Sequence, residues 1–417
     1  MTASDRNPVG GPGAEVDVCV TGGGSTALLA ALLCARAGRS VLLVAPEAEF
    51  EPAGAGISPL VAPPTLGLLA GEGVEEELLG AGQRILGADD HGRDGLLSRW
   101  RYYDLPGIAR PYGLTVPTGT LVQALLARLR AEPSATVRTG RRVTALGQDE
   151  DGVLLTFADT TAGTTAGTTG DGAGGGAEER VRARYAVAAD GRHSPLRDLS
   201  GITVRDTPFG RPGWLVAAPV VPRREPVLLV RHPAPQALFT VPTPGDSMAV
   251  VWCPDREQGE ALGQADPEVF AGQIKTVDPE LADWLGEVRD RTSPVFRIDF
   301  AMWQAASWRR GRVLLLGESA HGMHTLGGQG LNQSLHSAAS LARAVDEALA
   351  HKDPTRVEAY ERIRRPYVER LQELQWNTPA LRSYEAEPPR RGAHQDFVEV
   401  MTTLQPELAE QLGAGAR

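Results

Sequence analysis

The chain has 417 residues and a net charge of −10, and 42% of its residues are hydrophobic. This length exceeds one ordinary domain, and the apolar fraction excludes a globally disordered chain. The acidic balance argues against a nucleic-acid partner, because such binding draws its affinity from the neutralisation of phosphates.

No segment reaches the roughly 18 consecutive apolar residues of a membrane helix, so no membrane partner is expected. Residues 1–14 are polar, rich in glycine and proline, and unlike a signal peptide, and they predict a disordered lead-in. The three cysteines, Cys19, Cys34 and Cys253, are far apart and odd in number. They form neither a disulfide framework nor a zinc pattern, which favours a reduced, cytoplasmic setting.

The first ordered segment predicts a strand–helix–strand unit. Residues 15–20 form a short apolar strand, and residues 25–38 have the pattern of a buried helix. Residues 40–44 are almost wholly apolar, as expected of a parallel strand that is covered on both faces.

A glycine-rich turn joins this first strand to its helix. Gly22, Gly24 and Ala27 match the G-x-G-x-x-G/A fingerprint in the correct context. Such a turn lets a pyrophosphate approach backbone N–H groups at a helix N-terminus. The turn therefore predicts dinucleotide binding, and a purely structural turn is the alternative.

The fingerprint also requires an acidic residue at the end of the second strand, where it binds ribose hydroxyls. Ala45 occupies this position, and Glu47 and Glu49 follow closely. We expect Glu47 to substitute for the missing acid.

The middle of the chain alternates between helical and extended patterns. Residues 52–64 predict a loop, residues 120–131 an amphipathic helix, and residues 136–146 and 152–157 strands. Residues 160–176 are of low complexity and predict a flexible surface loop of glycine and threonine.

A strand is predicted at residues 181–189, and Asp190-Gly191 follows it directly. Short β-rich runs between residues 213 and 253 indicate an antiparallel sheet and a second domain. Residues 265–289 predict one helix. A strand at 312–316 and helices at 331–350 and 354–376 complete the pattern, and residues 377–417 form a C-terminal extension.

Three segments carry motifs in a fixed order. They are residues 16–44, residues 185–197 (YAVAADGRHSPLR), and residues 312–332, which begin RVLLLGESAH and end GGQGLN. In order and spacing these segments resemble the FAD-dependent aromatic-ring monooxygenases of the p-hydroxybenzoate hydroxylase type. The resemblance extends from about residue 16 to residue 376.

The resemblance implies an α/β fold, with a Rossmann-like FAD-binding domain and a β-rich substrate domain. The FAD-binding domain would consist of residues 15–75, 110–205 and 295–376, and the substrate domain of residues 76–109 and 206–294. NAD(P)H would reduce FAD from a transient groove, since only one dinucleotide fingerprint is visible. One oxygen atom of O2 would pass to a small, bulky apolar or aromatic substrate of the natural-product type.

The resemblance also assigns residues to the cofactor. The cofactor-binding set is Gly22, Gly24, Ala27, Glu47, Thr118, Asp190, Gly191, Glu318, Gly328, Gly330, Leu331 and Asn332. Within it, the turn at 328–332 would direct backbone N–H groups at the pyrimidine edge of the flavin, where a helix N-terminus stabilises negative charge.

Four positions depart from the family pattern. Ala45 replaces an acid, Thr118 an arginine, Glu318 an aspartate and Thr325 a proline. These changes motivate two alternatives to a flavin monooxygenase. One is a repurposed scaffold with weak or no FAD binding, which catalyses a cyclisation, elimination or rearrangement. The other is a non-catalytic binding protein.

His324 and Thr325 are the candidate catalytic residues, because histidine titrates near neutral pH and a threonine hydroxyl donates hydrogen bonds. His321 more simply orders the turn in which it lies. The remaining histidines do not have the sequence spacing of metal ligands, so no metal site is predicted. Substrate identity, the choice of NADH or NADPH, and the oligomeric state do not follow from the sequence.

Overall fold

The computed structural model describes residues 15–92, 95–104, 109–160, 178–232, 236–262, 266–325 and 328–377. The predicted lead-in (1–14), almost all of the predicted glycine-threonine loop (161–176) and nearly the whole extension (378–417) lie outside these residues. Gly327 of the third motif lies outside them as well.

The strands are numbered in chain order. They are β1 (Glu15–Thr21), β2 (Val41–Val44), β3 (Leu60–Val61), β4 (Gln83–Ile85), β5 (Gly87–Gly92), β6 (Gly95–Arg101), β7 (Gly113–Thr115), β8 (Ala135–Arg138), β9 (Arg141–Gln148), β10 (Val153–Asp159), β11 (Glu179–Ala188), β12 (Val204–Pro208), β13 (Gly213–Pro219), β14 (Leu228–His232), β15 (Ala237–Thr243), β16 (Ser247–Cys253), β17 (Phe296–Ile298), β18 (Ala301–Ala305), β19 (Arg309–Arg310), β20 (Val313–Leu315) and β21 (His321–Gly322).

The α-helices are α1 (Ser25–Arg36), α2 (Pro63–Gly71), α3 (Glu75–Ala81), α4 (Thr118–Arg130), α5 (Pro195–Ser200), α6 (Arg256–Leu262), α7 (Pro267–Ile274), α8 (Pro279–Glu287), α9 (Gln329–His351) and α10 (Glu358–Trp376). Short 3-10 helices occur at Tyr102–Asp104, Arg289–Arg291, Gly317–Ser319 and Pro354–Val357. Within the described ranges, no helix combines the length and apolar character needed to cross a membrane.

The larger sheet has the order β19-β20-β11-β1-β2-β8, and β10 and β9 extend it from β11. Its centre is parallel, since β1 pairs with both β2 and β11, and β11 pairs with β20. Helices α1, α4 and α9 contribute to one continuous core with these strands. Every residue of β2 is buried, which explains its uninterrupted apolar sequence.

The second large sheet has the order β17-β13-β16-β15-β14-β5-β6. Helices α7 and α8 pack on one face of it. The other face packs against Phe209, Phe300 and Met302, which lie outside this sheet. The α/β fold with a β-rich second part is therefore as predicted.

Two local predictions are wrong in detail, and one is confirmed. The helix predicted at 265–289 is two helices, because Asp278 accepts a hydrogen bond from Leu281 N–H and starts α8 at Pro279. The strand predicted at 136–146 is broken at Gly140, whose φ of +67° turns the chain. The four strands between residues 213 and 253 pair antiparallel, as predicted. Strand β5, which lies outside that segment, joins the same sheet parallel to β14.

Candidate active site

Three strand ends and two helix starts meet at one edge of the larger sheet. Thr21 at the end of β1 is in register with Ala188 of β11, and Ala188 is in register with Leu315 of β20. Gly317 packs so tightly that an added Cβ would lie 3.2 Å from both Thr26 of α1 and Ser334 of α9. The carboxyl edge of a parallel sheet is where such folds bind dinucleotides.

The glycine-rich turn leaves the N-terminus of α1 accessible. Gly22 has φ +124°, and a Cβ there would lie 2.2 Å from the carbonyl oxygen of Ala189. Gly24 caps α1, and a Cβ there would meet nothing within 4 Å. The turn therefore packs closely against β11 on one side and exposes helix N–H groups on the other, as a pyrophosphate requires. Ala27 is fully buried behind this turn.

Glu47 is the acidic side chain that lies over the glycine-rich turn. A Cβ on Gly23 would be 2.6 Å from Glu47 Oε2. Ala45, at the position where the fingerprint has its acid, is fully buried in the core. Gly140 N–H donates to the Glu47 carbonyl at 2.8 Å and fixes the backbone of this loop. The exposed carboxylate is therefore in place to accept hydrogen bonds from a ligand at the turn.

Asp190 follows β11 and lies beside Gly22. Leu196 N–H donates to its Oδ2 at 3.2 Å, and its Oδ1 is buried without a hydrogen-bond partner in the part of the chain that the structure describes. Burial raises the pKa of this carboxyl. The orphaned oxygen suits a hydroxyl or N–H donor brought by a ligand.

The Asp190–Gly191 loop is tied to the loop after β20. Ser194 accepts a hydrogen bond from Arg197 N–H and caps α5. The buried guanidinium of Arg197 donates to the carbonyl of Arg192 at 2.8 Å and to that of Ser319 at 3.2 Å. Arg197 is therefore a positioning residue that holds two of the three motifs together.

Glu318 lies in the 3-10 turn after β20, and its side chain reaches solvent. Trp303 Nε1 donates to the Glu318 carbonyl at 2.8 Å, and the guanidinium of Arg192 lies 4.5 Å from the centre of the Trp303 ring. Surrounding protein raises the pKa of Glu318 by desolvation, and the charge of Arg192 opposes this rise. The sequence patterns did not assign Arg192 to the site, although it directly follows the Asp-Gly motif.

The start of α9 is fixed by side-chain bonds to β3. Gly328 precedes α9 with φ +62°. The buried Asn332 amide accepts from Ala62 N–H at 2.9 Å and donates to the carbonyls of Leu60 at 2.9 Å and Gly328 at 2.6 Å. A Cβ on Gly330 would meet nothing within 4 Å. The space beside Gly330 in the first turn of α9 is therefore open.

Leu331 and Thr118 are the remaining predicted cofactor contacts. Leu331 is half-buried in the first turn of α9. Thr118 begins α4, and its hydroxyl donates to the Glu51 carboxylate at 2.7 Å. At the position where the family has an arginine, this chain therefore carries a neutral hydroxyl that is hydrogen-bonded to the Glu51 carboxylate.

The two candidate catalytic residues differ in exposure. His324 is buried between Phe300, stacked at 4.1 Å between ring centres, and Phe209 at 4.5 Å. Burial lowers its pKa to about 3, so its ring is neutral near pH 7. Thr325 is exposed, and its carbonyl accepts from Gly328 N–H at 3.1 Å.

The C-terminal helix holds the loop that carries His324. Gln375 of α10 accepts from His324 N–H at 3.0 Å and donates to the His324 carbonyl at 2.9 Å. Gln372 donates to the carbonyl of Gly322 at 2.7 Å. Nothing in the local sequence signals this clamp, because its partners are about 50 residues apart.

The fold and this edge of the sheet define an FAD-binding oxidoreductase. Residues 15–375 match the family model described as FAD binding domain. Protoasukamycin 4-monooxygenase of Streptomyces nodosus subsp. asukaensis is 62% identical over 412 residues, which covers 99% of this chain and 98% of that protein. The chain belongs to the family of FAD-dependent aromatic-ring monooxygenases, as the motifs predicted.

Solved structures agree on the fold. The p-nitrophenol 4-monooxygenase PnpA of Pseudomonas putida DLL-E4 superposes with a TM-score of 0.72 at 20% identity, over 97% of this chain and 99% of that one. Aklavinone-11 hydroxylase, solved in a ternary complex with FAD and aklavinone, superposes with a TM-score of 0.66 at 23% identity. That match covers 88% of this chain and 69% of the hydroxylase chain.

The residues of this chain fit FAD. The accessible N-terminus of α1, the Glu47 carboxylate and the orphaned Asp190 oxygen are groups that a dinucleotide can pair with. When bound and reduced by NAD(P)H, FAD supplies the activation of O2, which no side chain of the protein can provide. The chain is therefore an FAD-dependent monooxygenase.

Proposed function

We propose that this enzyme transfers one oxygen atom from O2 to protoasukamycin or to a small molecule of closely related structure. The observation that carries the proposal is the 62% identity to protoasukamycin 4-monooxygenase over nearly both full lengths. The apolar cluster between the second large sheet and Phe209, Phe300 and Met302 supports a bulky apolar substrate.

In this proposal, four parts of the chain hold the cofactor. Glu47 accepts hydrogen bonds from ribose hydroxyls, and the N-terminus of α1 binds the pyrophosphate. The first turn of α9, at Gly330 and Leu331, directs N–H groups at the flavin edge that becomes negative on reduction. Asp190 and Glu318 accept hydrogen bonds at the sheet edge between these two helix starts.

His324 and Thr325 are proposed to act at the reacting side of the flavin. The low pKa of His324 favours a neutral ring that shapes the site over a proton donor at neutral pH. Thr325 is the exposed member of the pair, and its hydroxyl is the better placed donor.

We further propose that residues 15–75, 110–205 and 295–376 form the FAD-binding domain, and that residues 76–109 and 206–294 form the substrate domain. A cytoplasmic location is proposed as well. It is supported by Cys19, Cys34 and Cys253, which are all buried and free.

Purified protein should be yellow, or become so with added FAD, and it should oxidise NAD(P)H faster when protoasukamycin is present. With isotopically labelled O2, the product should gain one labelled oxygen atom. Assays with NADH alone and with NADPH alone show which of the two nucleotides the enzyme prefers.

The same assay separates the two alternatives. Turnover of protoasukamycin with neither NAD(P)H nor O2 would support the repurposed, non-redox scaffold and contradict our proposal. Binding of protoasukamycin that is recovered unchanged under all conditions would support the binding protein. The relatives described above are monooxygenases or hydroxylases, and they give neither alternative any support.

A further inference from the structure

The second large sheet contains a buried acid–histidine pair. His232 Nε2, at the end of β14, lies 3.2 Å from Asp90 Oδ1 on β5. Side-chain exposures of 10% for His232 and 8% for Asp90 place both groups inside the protein. The sequence does not indicate this pair, because Asp90 and His232 are 142 positions apart and meet only through the pairing of β5 with β14.

The pair lies on the face of the sheet that points away from α7 and α8. Asp90 is in register with Val230, Val230 with Phe239, and Phe239 with Val251. Residues in register share a face, and we call this one the inner face. His232 is two residues after Val230 and shares that face.

The inner face reaches the candidate catalytic loop through an apolar cluster. The His232 ring contacts the Phe239 ring edge-on, with 6.0 Å between centres. Phe239 packs in one cluster with Phe209 and Phe300, and these two rings enclose His324. The pair therefore lies at the margin of the apolar cluster that joins the inner face to the His324 loop.

Two polar atoms of this face have no partner in the described ranges of the chain. They are His232 Nδ1 and the hydroxyl oxygen of Ser98, and both are buried. Ser98 is in register with Asp90 on the neighbouring strand. A buried polar atom without a hydrogen bond is costly, so two on one face indicate that a ligand supplies the bonds.

The carboxylate decides which kind of bond His232 can make. For the neutral ring, Asp90 beside Nε2 favours the tautomer with its proton on Nε2, and this leaves a lone pair on Nδ1. Nδ1 is then an acceptor, and its natural partner is a hydroxyl group.

We propose that His232 accepts a hydrogen bond from a hydroxyl group of the substrate, and that Asp90 positions the ring for this contact. The proposal rests on the proposed monooxygenase function and names a residue that orients the substrate. His232 would bind one hydroxyl group of an otherwise apolar substrate. This contact would fix the orientation of the substrate and so determine which of its carbons lies next to the flavin.

Three variants of the full-length holoenzyme test this role. His232→Leu removes the acceptor, whereas His232→Asn keeps an amide oxygen near the position of Nδ1. His91→Leu is the matched control, because His91 is in register with Arg231, which binds Asp278 on the helix-covered side of the sheet. FAD content and thermal midpoint are measured first to verify folding.

With protoasukamycin as the probe, we expect His232→Leu to raise KM by roughly tenfold or more, and His232→Asn to raise it less. NAD(P)H oxidation without substrate should not change in either variant. His91→Leu should match the wild type. A KM for His232→Leu within about twofold of the His91→Leu value would overturn the proposal.

Calorimetric binding of protoasukamycin separates failure of the two proposals. If the wild type binds protoasukamycin but does not oxidise NAD(P)H in response, the proposed function is wrong. The role of His232 is then tested by the affinity of His232→Leu for protoasukamycin alone. If the wild type does not bind protoasukamycin, both proposals are wrong for this probe. If His232→Leu binds it as tightly as the wild type, the pair only stabilises the sheet.

Discussion

Gly22 and Gly24 stand in the same turn, yet a methyl group would have different consequences at each. Gly22→Ala places a Cβ 2.2 Å from a backbone oxygen at a φ of +124°. We expect it to destabilise the protein by about 2 kcal/mol or more and to abolish FAD retention. The added methyl group of Gly24→Ala would have no atom within 4 Å, so the FAD-free protein should be as stable as the wild type. FAD binding should be weaker, because the methyl group would occupy the space that the pyrophosphate approaches.

Urea unfolding of FAD-free protein and FAD titration measure the two effects separately. Equal stability of Gly22→Ala and wild type would contradict the close packing of the turn on Ala189. Unchanged FAD affinity in Gly24→Ala would show that the pyrophosphate does not approach this residue.

Glu47 offers a second test at the residue scale. Glu47→Gln should weaken FAD binding about tenfold, because hydrogen bonds to a charged acceptor contribute about 1.5–3 kcal/mol each. Glu49→Gln is the matched control, since both residues are exposed acids of the same loop. Fluorescence titration with FAD gives the two dissociation constants. If Glu49→Gln causes the larger loss, the assignment of the ribose contact to Glu47 is wrong.

At the scale of elements, α9 depends on one side chain for its junction with β3. Asn332→Ala would leave Ala62 N–H and the Leu60 carbonyl without their side-chain partner inside the protein. We expect a loss of about 2–4 kcal/mol in the free energy of unfolding. Urea denaturation measures it, and Ser340→Ala, at a partly exposed position of the same helix, is the control. A loss no larger than that of the control would contradict a structural role for the amide.

Local patterns predicted the elements that carry their own signals. The βαβ unit at the N-terminus was predictable, because its turn, helix and apolar strands are contiguous in sequence. The contact of Glu47 with Gly23 was only an expectation, since it depends on the path of the loop after β2. The stacking of Arg192 on Trp303 and the clamp of Gln375 on His324 join distant segments, and no local pattern encodes them.

At the scale of the whole molecule, buried neutral histidine makes stability sensitive to acid. His321 is buried against Trp308, with 5.0 Å between ring centres, and burial lowers its pKa to about 3. The unfolded chain binds a proton near pH 6.5, whereas the folded chain does not. This contribution to stability is therefore complete above pH 6.5 and is lost as the pH falls towards 3.

His321→Phe keeps an aromatic ring beside Trp308 and removes the titrating group. The free energy of unfolding of the variant minus that of the wild type is compared at two pH values. This difference should be about 2–3 kcal/mol more favourable to the variant at pH 4.5 than at pH 8. Urea unfolding at the two pH values measures the gain. His193→Gln, at an exposed position, is the control. An equal pH dependence of His321→Phe and wild type would show that the folded protein protonates this ring.

The pairing of β1 with β11 has a consequence for how the chain folds. Val18 lies beside Tyr185, so the centre of the larger sheet joins strands 167 positions apart. Strand β20 pairs with β11 across a further 127 positions, from Ala186 to Val313. Such non-local pairing is slow, because the intervening chain must be closed into a loop before any contact forms. The three strand ends at which we propose that FAD binds come together only when this sheet is complete. Recovery of flavin binding should thus be the last event of refolding, later than the return of secondary structure.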